Sequence, residues 1–169
     1  MLPCASDLPT EGRIVAGEHH LPVRVYFEDT DLSGMVYHAN YLKFMERGRS
    51  DMLRVLGIDQ QSVQAAGEGN YVVTALAIQY RAPARLGDAL LVATRVERFG
   101  AARLSIQQRV MRGAVLLAQG EVTVAFAAPS GRARRQPAAW IEMFGRFLSD
   151  RESADDLAET DTNQGELPA

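Results

Sequence analysis

Apolar residues along this chain follow two rhythms, one of period two and one of about 3.6 residues. In "VRVYF" (23–27), Val23, Val25 and Phe27 alternate with Arg24 and Tyr26, the pattern of a half-buried strand. Further on, Tyr41, Phe44, Met45, Gly48, Met52, Val55 and Leu56 recur at i, i+3, i+4, i+7, i+11, i+14 and i+15. That spacing lays one apolar stripe along a long helix within "ANYLKFMERGRSDMLRVLG". Gly57 stands where the helix must end, in the left-handed conformation that glycine tolerates. Gly48 costs the helix about 1 kcal/mol relative to alanine. Its place inside the apolar stripe predicts that a sheet approaches closely there.

Four strand-like runs come next: "YVVTALAIQY" (71–80), "ALLVATRVERF" (89–99), "RLSIQQRVM" (103–111) and "VLLAQGEVTVAF" (115–126). In the third, Leu104, Ile106, Gln108 and Val110 alternate with Arg103, Ser105, Gln107 and Arg109. The connections at 100–102 and 112–114 are short enough to demand antiparallel hairpins. A strand, a long helix and a four-strand meander make an α+β domain, with one antiparallel sheet packed on one helix. Residues 1–20, with two prolines, two glycines and little pattern, are expected to form a loose arm. Past Pro129, Arg132, Arg134 and Arg135 read as a solvated turn. In "WIEMFGRFL", Trp140, Met143, Phe144, Phe147 and Leu148 share a helical face expected to dock on the sheet or on a second subunit. The expected divisions are thus an arm at 1–20, the domain at 21–128, an extension at 129–149 and a disordered acidic tail at 150–169.

Composition narrows the class. A length of 169 residues fits one domain, and 47% hydrophobic content is that of a globular chain. The net charge of −3 gives no electrostatic argument for nucleic acid or an anionic membrane. Cys4, the single cysteine, cannot form an internal disulfide, and no cysteine cluster offers a zinc site. No apolar run approaches the roughly 20 residues of a membrane span. The N-terminus lacks the basic and apolar regions of a secretion signal, so a cytoplasmic protein is expected.

The chemistry concentrates in "EDTDLSGMVYHANYL" (28–42), where Glu28, Asp29 and Asp31 crowd together before Gly34 and His38. Asp29 or Asp31 could simply cap the helix. Alternatively, a carboxylate facing a helix N-terminus can attack a carbonyl, or activate water to do so, while a backbone N–H at His38 holds the developing oxyanion. Spacing alone leaves both readings open, because loops rich in Asp and Gly are common turns.

The stretch "VRVYFEDTDLSGMVYHANYLKFMERGRSDMLRVLG" resembles the start of the hotdog-fold acyl-CoA thioesterases of the 4-hydroxybenzoyl-CoA type, and most of all their Tol–Pal-associated YbgC branch. "YRAPARLGDAL" (80–90) resembles the family's second landmark, so the likeness spans about residues 21–128. The resemblance implies a long central helix wrapped by a five-stranded antiparallel sheet. It implies hydrolysis of acyl-CoA to a carboxylic acid and CoA, with Asp31 as the catalytic carboxylate and the His38 N–H polarising the thioester carbonyl. Asp29 would hold the turn. Substrate is expected along Gly34, Val36 and Tyr37, with Arg81 and Arg85 meeting the charged end of CoA. No cofactor or metal is implied, and the family suggests a homodimer or a dimer-of-dimers tetramer. Phe27 departs from the family pattern, which has a tyrosine there.

Relatives of other branches carry a carboxylate in mid-helix, where this chain has Glu46. Arg49, three residues on, makes Glu46 an ordinary helix ion pair instead. His19 and His20 lack a sequence partner and are expected at the surface. Two other functions stand beside hydrolysis: a hotdog dehydratase or hydratase, whose H-x-x-G-H-x-x-P signature is missing, and a non-catalytic acyl-thioester-binding or scaffolding protein, against which Asp31 and His38 weigh.

Overall fold

The computed structural model of the protein describes residues 11–148. The expectations for Cys4, the start of the arm and the acidic tail fall outside them. In chain order come β1 (Arg13–Val15), β2 (Glu18–Arg24), a single 3-10 turn (Phe27–Asp29), α1 (Asn40–Val55), α2 (Gln60–Ala65), β3 (Asn70–Tyr80), β4 (Ala89–Phe99), β5 (Arg103–Arg112) and β6 (Val115–Ala127). A third helix, α3, covers 138–148. The strands form one antiparallel sheet of six, not five, in the order β1-β2-β4-β5-β6-β3.

The extra strand comes from the expected loose arm. Ala16 (φ 47°) and Gly17 (φ 68°) both take the left-handed conformation, which joins β1 to β2 through a two-residue hairpin pairing Val15 with Glu18. The first core strand therefore starts at Glu18, not Val23, and the chain leaves the sheet before Phe27, which is 82% exposed. His19 is a second correction. It is fully buried, and its Nε2 lies 2.9 Å from Asp51 Oδ2 on α1. Burial lowers its pKa, so the neutral ring donates Nε2–H to a carboxylate that also accepts the Gly12 N–H at 2.7 Å. His20 stays near the surface beside Glu18.

Only β4, β5 and β6 form the expected meander. β3 crosses the sheet to pair with β6, from Asn70 opposite Ala127 to Tyr80 opposite Ala118. The hairpins on either side of β5 are too short to cross anything, whereas residues 81–88 are long enough to pass over the end of the sheet to β4. β3 is thus an edge strand, with Val72, Val73 and Leu76 exposed.

Helix α1 packs its stripe on β2, β4 and β5. Tyr41, Phe44 and Met45 join Val25, Val92 and Leu117 in one part of the core. Met52 and Leu53 join Val96, Ile106 and Val122 in the other. A Cβ on Gly48 would lie 2.8 Å from Val92 and 2.9 Å from Thr94, the close approach its position predicts. The helix stops as expected: Gly57 takes φ 76°, its N–H reaches the Arg54 carbonyl, and the Ile58 N–H reaches the Leu53 carbonyl at 2.8 Å. α3 docks on the same sheet face beyond the end of α1. There Trp140 packs edge-on to Phe126 and beside Tyr71, with centroids 5.6 Å away in both cases, and Phe144 packs by Phe99. The stripe's partner is the chain's own sheet.

Candidate active site

The acidic loop is pinned at both ends by backbone bonds. Asp29 is buried, and its Oδ2 accepts the Tyr26 N–H at 2.9 Å. Its carbonyl accepts the Tyr37 N–H and the Asn40 side-chain amide, each at 2.9 Å. Asp29 therefore ties the 3-10 turn to the first residue of α1, which is a structural role. Between these anchors, isolated bridges pair Thr30 with Val36 and Met35 with Arg85. The Asp31 N–H reaches the Met35 carbonyl at 3.0 Å, and the Gly34 N–H reaches the Asp31 carbonyl at 2.9 Å. Gly34 closes this tight turn at φ 72°, where a side chain would be strained.

The turn leaves the Asp31 side chain exposed, with its two oxygens unlike each other. Oδ1 accepts both the Ser33 N–H, at 2.8 Å, and the Ser33 hydroxyl. No described residue donates to Oδ2. The Ser33 hydroxyl, then the Ser33 amide, hold the Asp31 carboxyl below the usual carboxylate range, with a smaller pull from His38. The group is an anion at neutral pH with one oxygen held and one available.

His38 occupies a turn two residues ahead of α1. Its ring packs on Tyr37 at 4.4 Å and edge-on to Tyr80 at 6.3 Å. Its carbonyl accepts the Tyr80 hydroxyl at 3.0 Å. Among the described residues the His38 N–H has no acceptor, so it is free to donate to a ligand at the positive end of the helix. Behind it, buried Tyr41 accepts the Ala84 N–H at 2.9 Å through its hydroxyl, and the Val36 N–H reaches the Ala84 carbonyl at 2.9 Å.

These groups open onto a cavity of about 360 Å³ lined by Asp31, Ser33, Val36, His38, Tyr41 and Tyr80, with Arg81 at its wall. The structure thus brings together Asp31, Val36, His38 and Arg81 of the expected site. Gly34 shapes the turn without lining the cavity, and Tyr37 contributes by packing on His38. Arg85 is also outside the lining; its backbone pairs with Met35 and donates to Asp88 at 2.9 Å. Six lining residues, Ser33, Met35, Tyr41, Tyr80, Ala82 and Pro83, stand outside the expected site. An Asp followed two residues on by Ser is a recognisable side-chain turn, whereas nothing near Tyr80 in sequence points to His38.

Glu46 is 58% exposed, pairs with Arg49 and accepts the Ser50 hydroxyl at 3.1 Å, away from this cavity. A larger groove, about 690 Å³, runs between α1 and β2, but its one carboxylate, Asp51, is already held by His19, Gly12 and Arg54. Among the described residues no cluster of three His, Cys, Asp or Glu could hold a metal ion, and no helix is long and apolar enough to cross a membrane.

Comparison with known proteins bears on this arrangement. Residues 25–148 match the model of the thioesterase-like superfamily. An "Acyl-CoA thioesterase YbgC" of Haemophilus influenzae is 45% identical over 104 residues, 62% of this chain and 76% of that protein. The crystal structure of a "Probable Thioesterase from Bartonella henselae" is 37% identical and superposes with a TM-score of 0.67, covering 71% of this chain and 99% of that one. A 1,4-dihydroxy-2-naphthoyl-CoA thioesterase from Synechocystis shares the fold at 23% identity and a TM-score of 0.70, over 75% of this chain and 94% of that one.

Proposed function

Because the chain belongs to the thioesterase-like superfamily, whose hotdog fold it has, we infer that it hydrolyses acyl-CoA thioesters to a free carboxylic acid and CoA. The observation that carries the mechanism is one shared cavity holding an anionic carboxylate, Asp31, and the unpaired N–H of His38 at a helix start. The thioester carbonyl oxygen lies against the His38 N–H, which stabilises the negative charge that develops there. Asp31, steadied through Oδ1, uses Oδ2 either to attack the carbonyl carbon or to take a proton from a water that attacks it. When the tetrahedral intermediate collapses, the C–S bond breaks and CoA leaves as thiolate, a good leaving group. On the nucleophilic route the acyl group remains on Asp31 as a mixed anhydride, which water hydrolyses to the free carboxylic acid and the restored carboxylate; on the water route, the proton held by Asp31 passes to the departing thiolate.

Val36 and Tyr41 supply apolar wall for the acyl group. Arg81, with Arg85 nearby on the same connection, is suited to the phosphates of CoA. A CoA thioester substrate supports the cytoplasm as the compartment. The exposed edge of β3, with Val72, Val73 and Leu76 outward, supports a homodimer in which a second copy covers that edge, and a further pairing into a tetramer.

The deciding experiment compares Asp31→Asn with Asp29→Asn and Glu46→Gln in a coupled thiol-release assay. Asp31→Asn is expected to lower turnover at least about a hundredfold, the lower range for a positioned acid–base group, while folding and acyl-CoA binding persist. Asp29→Asn should cost stability, on the order of 1 kcal/mol, with much less effect on chemistry. The assignment fails if the two behave alike, or if Glu46→Gln abolishes turnover and Asp31→Asn does not.

A further inference from the structure

We propose that Tyr80 is a positioning residue for the reaction, its hydroxyl fixing the His38 peptide so that the helix start meets the carbonyl oxygen in one orientation. The inference rests on the catalytic reading of Asp31 and His38 given above. It begins with a gap in the hydrogen bonding of α1. The first turn runs from the Asn40 N–H to the Tyr37 carbonyl at 2.8 Å and from the Leu42 N–H to the Ala39 carbonyl at 3.1 Å. Neither bond uses the carbonyl of His38. Among the described residues, the Tyr80 hydroxyl is the donor that takes it, at 3.0 Å.

Tyr80 comes from far away: it ends β3 at the outer edge of the sheet, 42 residues along from His38. Its ring is held at a T-shaped angle to Tyr41, with centroids 5.6 Å apart, and the Tyr41 hydroxyl is in turn fixed by Ala84. The same ring meets His38 edge-on. Tyr80 therefore grips His38 twice, at its carbonyl and at its imidazole. With both held, rotation about the His38 N–Cα and Cα–C bonds, which together set the 37–38 peptide plane against the 38–39 plane, is restrained, and with it the direction of the His38 N–H. Burial raises the Tyr80 pKa, so the hydroxyl keeps its proton and remains a donor across the working range.

Tyr80 is nearly half exposed and lies at the cavity wall, so losing its hydroxyl exposes the His38 carbonyl to water without leaving a buried group unsatisfied. The consequence falls on orientation. Misplacement on the scale of 1 Å can cost up to about 10²-fold in rate.

The test is Tyr80→Phe, which keeps the ring, assayed for kcat, KM and melting temperature alongside Asp31→Asn. We expect kcat to fall about tenfold, with KM within about twofold and melting within about 2 °C of wild type, since a group that orients without binding lowers kcat alone. An unchanged kcat overturns the inference, as does a loss expressed wholly in KM, which would make Tyr80 a substrate contact. A fall in kcat matched by a large fall in melting temperature also overturns it, because the role would then be structural. The two readings fail separately: wild-type turnover in Asp31→Asn removes the catalytic assignment itself. A dead Asp31→Asn beside an unaffected Tyr80→Phe removes only this one.

Discussion

Gly48→Ala sets two known effects against each other on the helix that carries the site. In an isolated helix the substitution would stabilise by about 1 kcal/mol, since glycine has the poorest helix propensity after proline. Here the new methyl would lie 2.8 Å from Val92 Cγ1, 2.9 Å from Thr94 Oγ1 and 3.2 Å from Gln108 Nε2. None of these neighbours can swing aside. Val92 and Thr94 are β-branched and stiff at χ1, and Gln108 Nε2 is held by the Met45 carbonyl at 2.8 Å and by Thr94 at 2.9 Å. Relief requires the helix to lift from β4 and β5, an overpacking strain of about 1–3 kcal/mol, with roughly 1 kcal/mol more if the Thr94–Gln108 bond breaks. With that bond broken by the methyl beside Thr94 Oγ1, the strain of about 2–4 kcal/mol exceeds the propensity gain by about 1–3 kcal/mol, which lowers the melting temperature by roughly 2–12 °C in a domain of this size. Urea and thermal unfolding of Gly48→Ala, Val92→Ala and the double variant measure the effect. The double variant should be more stable than the sum of the singles implies, by about 1 kcal/mol, because Val92→Ala removes the nearest clashing atom. A Gly48→Ala protein as stable as wild type would refute the close-approach argument.

Two further outcomes are open to simple assays. Ser33→Ala removes the largest cause of the low Asp31 pKa, so the carboxylate should protonate at higher pH and the acid limb of kcat/KM against pH should move upward; an unmoved limb in a variant that still depends on Asp31 would show that Ser33 does not set it. Light scattering should find a dimer or a larger assembly, and a fully active monomer would contradict a partner at the β3 edge.

What could be read from the sequence was what neighbouring residues decide between themselves. The α1 stripe, its Gly57 stop and the two hairpins of β4, β5 and β6 all depend on spacings of a few residues, and the structure agrees with each. The β1–β2 hairpin was hidden because β1 is exposed on all three residues, so period-two alternation gives no signal. His19 looked like a surface residue because its partner, Asp51, lies 32 residues along on another element. Phe27 shows the opposite error: it is an apolar residue in phase with the expected strand, yet β2 ends at Arg24, three residues before it.

The site divides along the same line, and the division explains why the misjudged strand order matters. Asp31 and His38 share one loop, so their residue types and spacing were visible together. What holds that loop in register is the connection from β3 to β4. It places the Ala84 carbonyl on the Val36 N–H, the Ala84 N–H on Tyr41, Arg85 beside Met35, and the Asp88 carbonyl on the Val25 N–H. A plain four-strand meander would return from β3 to β4 through a tight hairpin along one edge, with no segment left to cross the head of α1. Putting β3 beyond β6 stretches that connection over the start of the helix. The same placement brings Tyr80, at the last residue of β3, onto the His38 carbonyl. The crossover therefore assembles the site as well as linking two strands. Whether Arg81 or Arg85 reaches the cavity follows from the same path: Arg85 is drawn into the bridge with Met35, which leaves Arg81 at the wall.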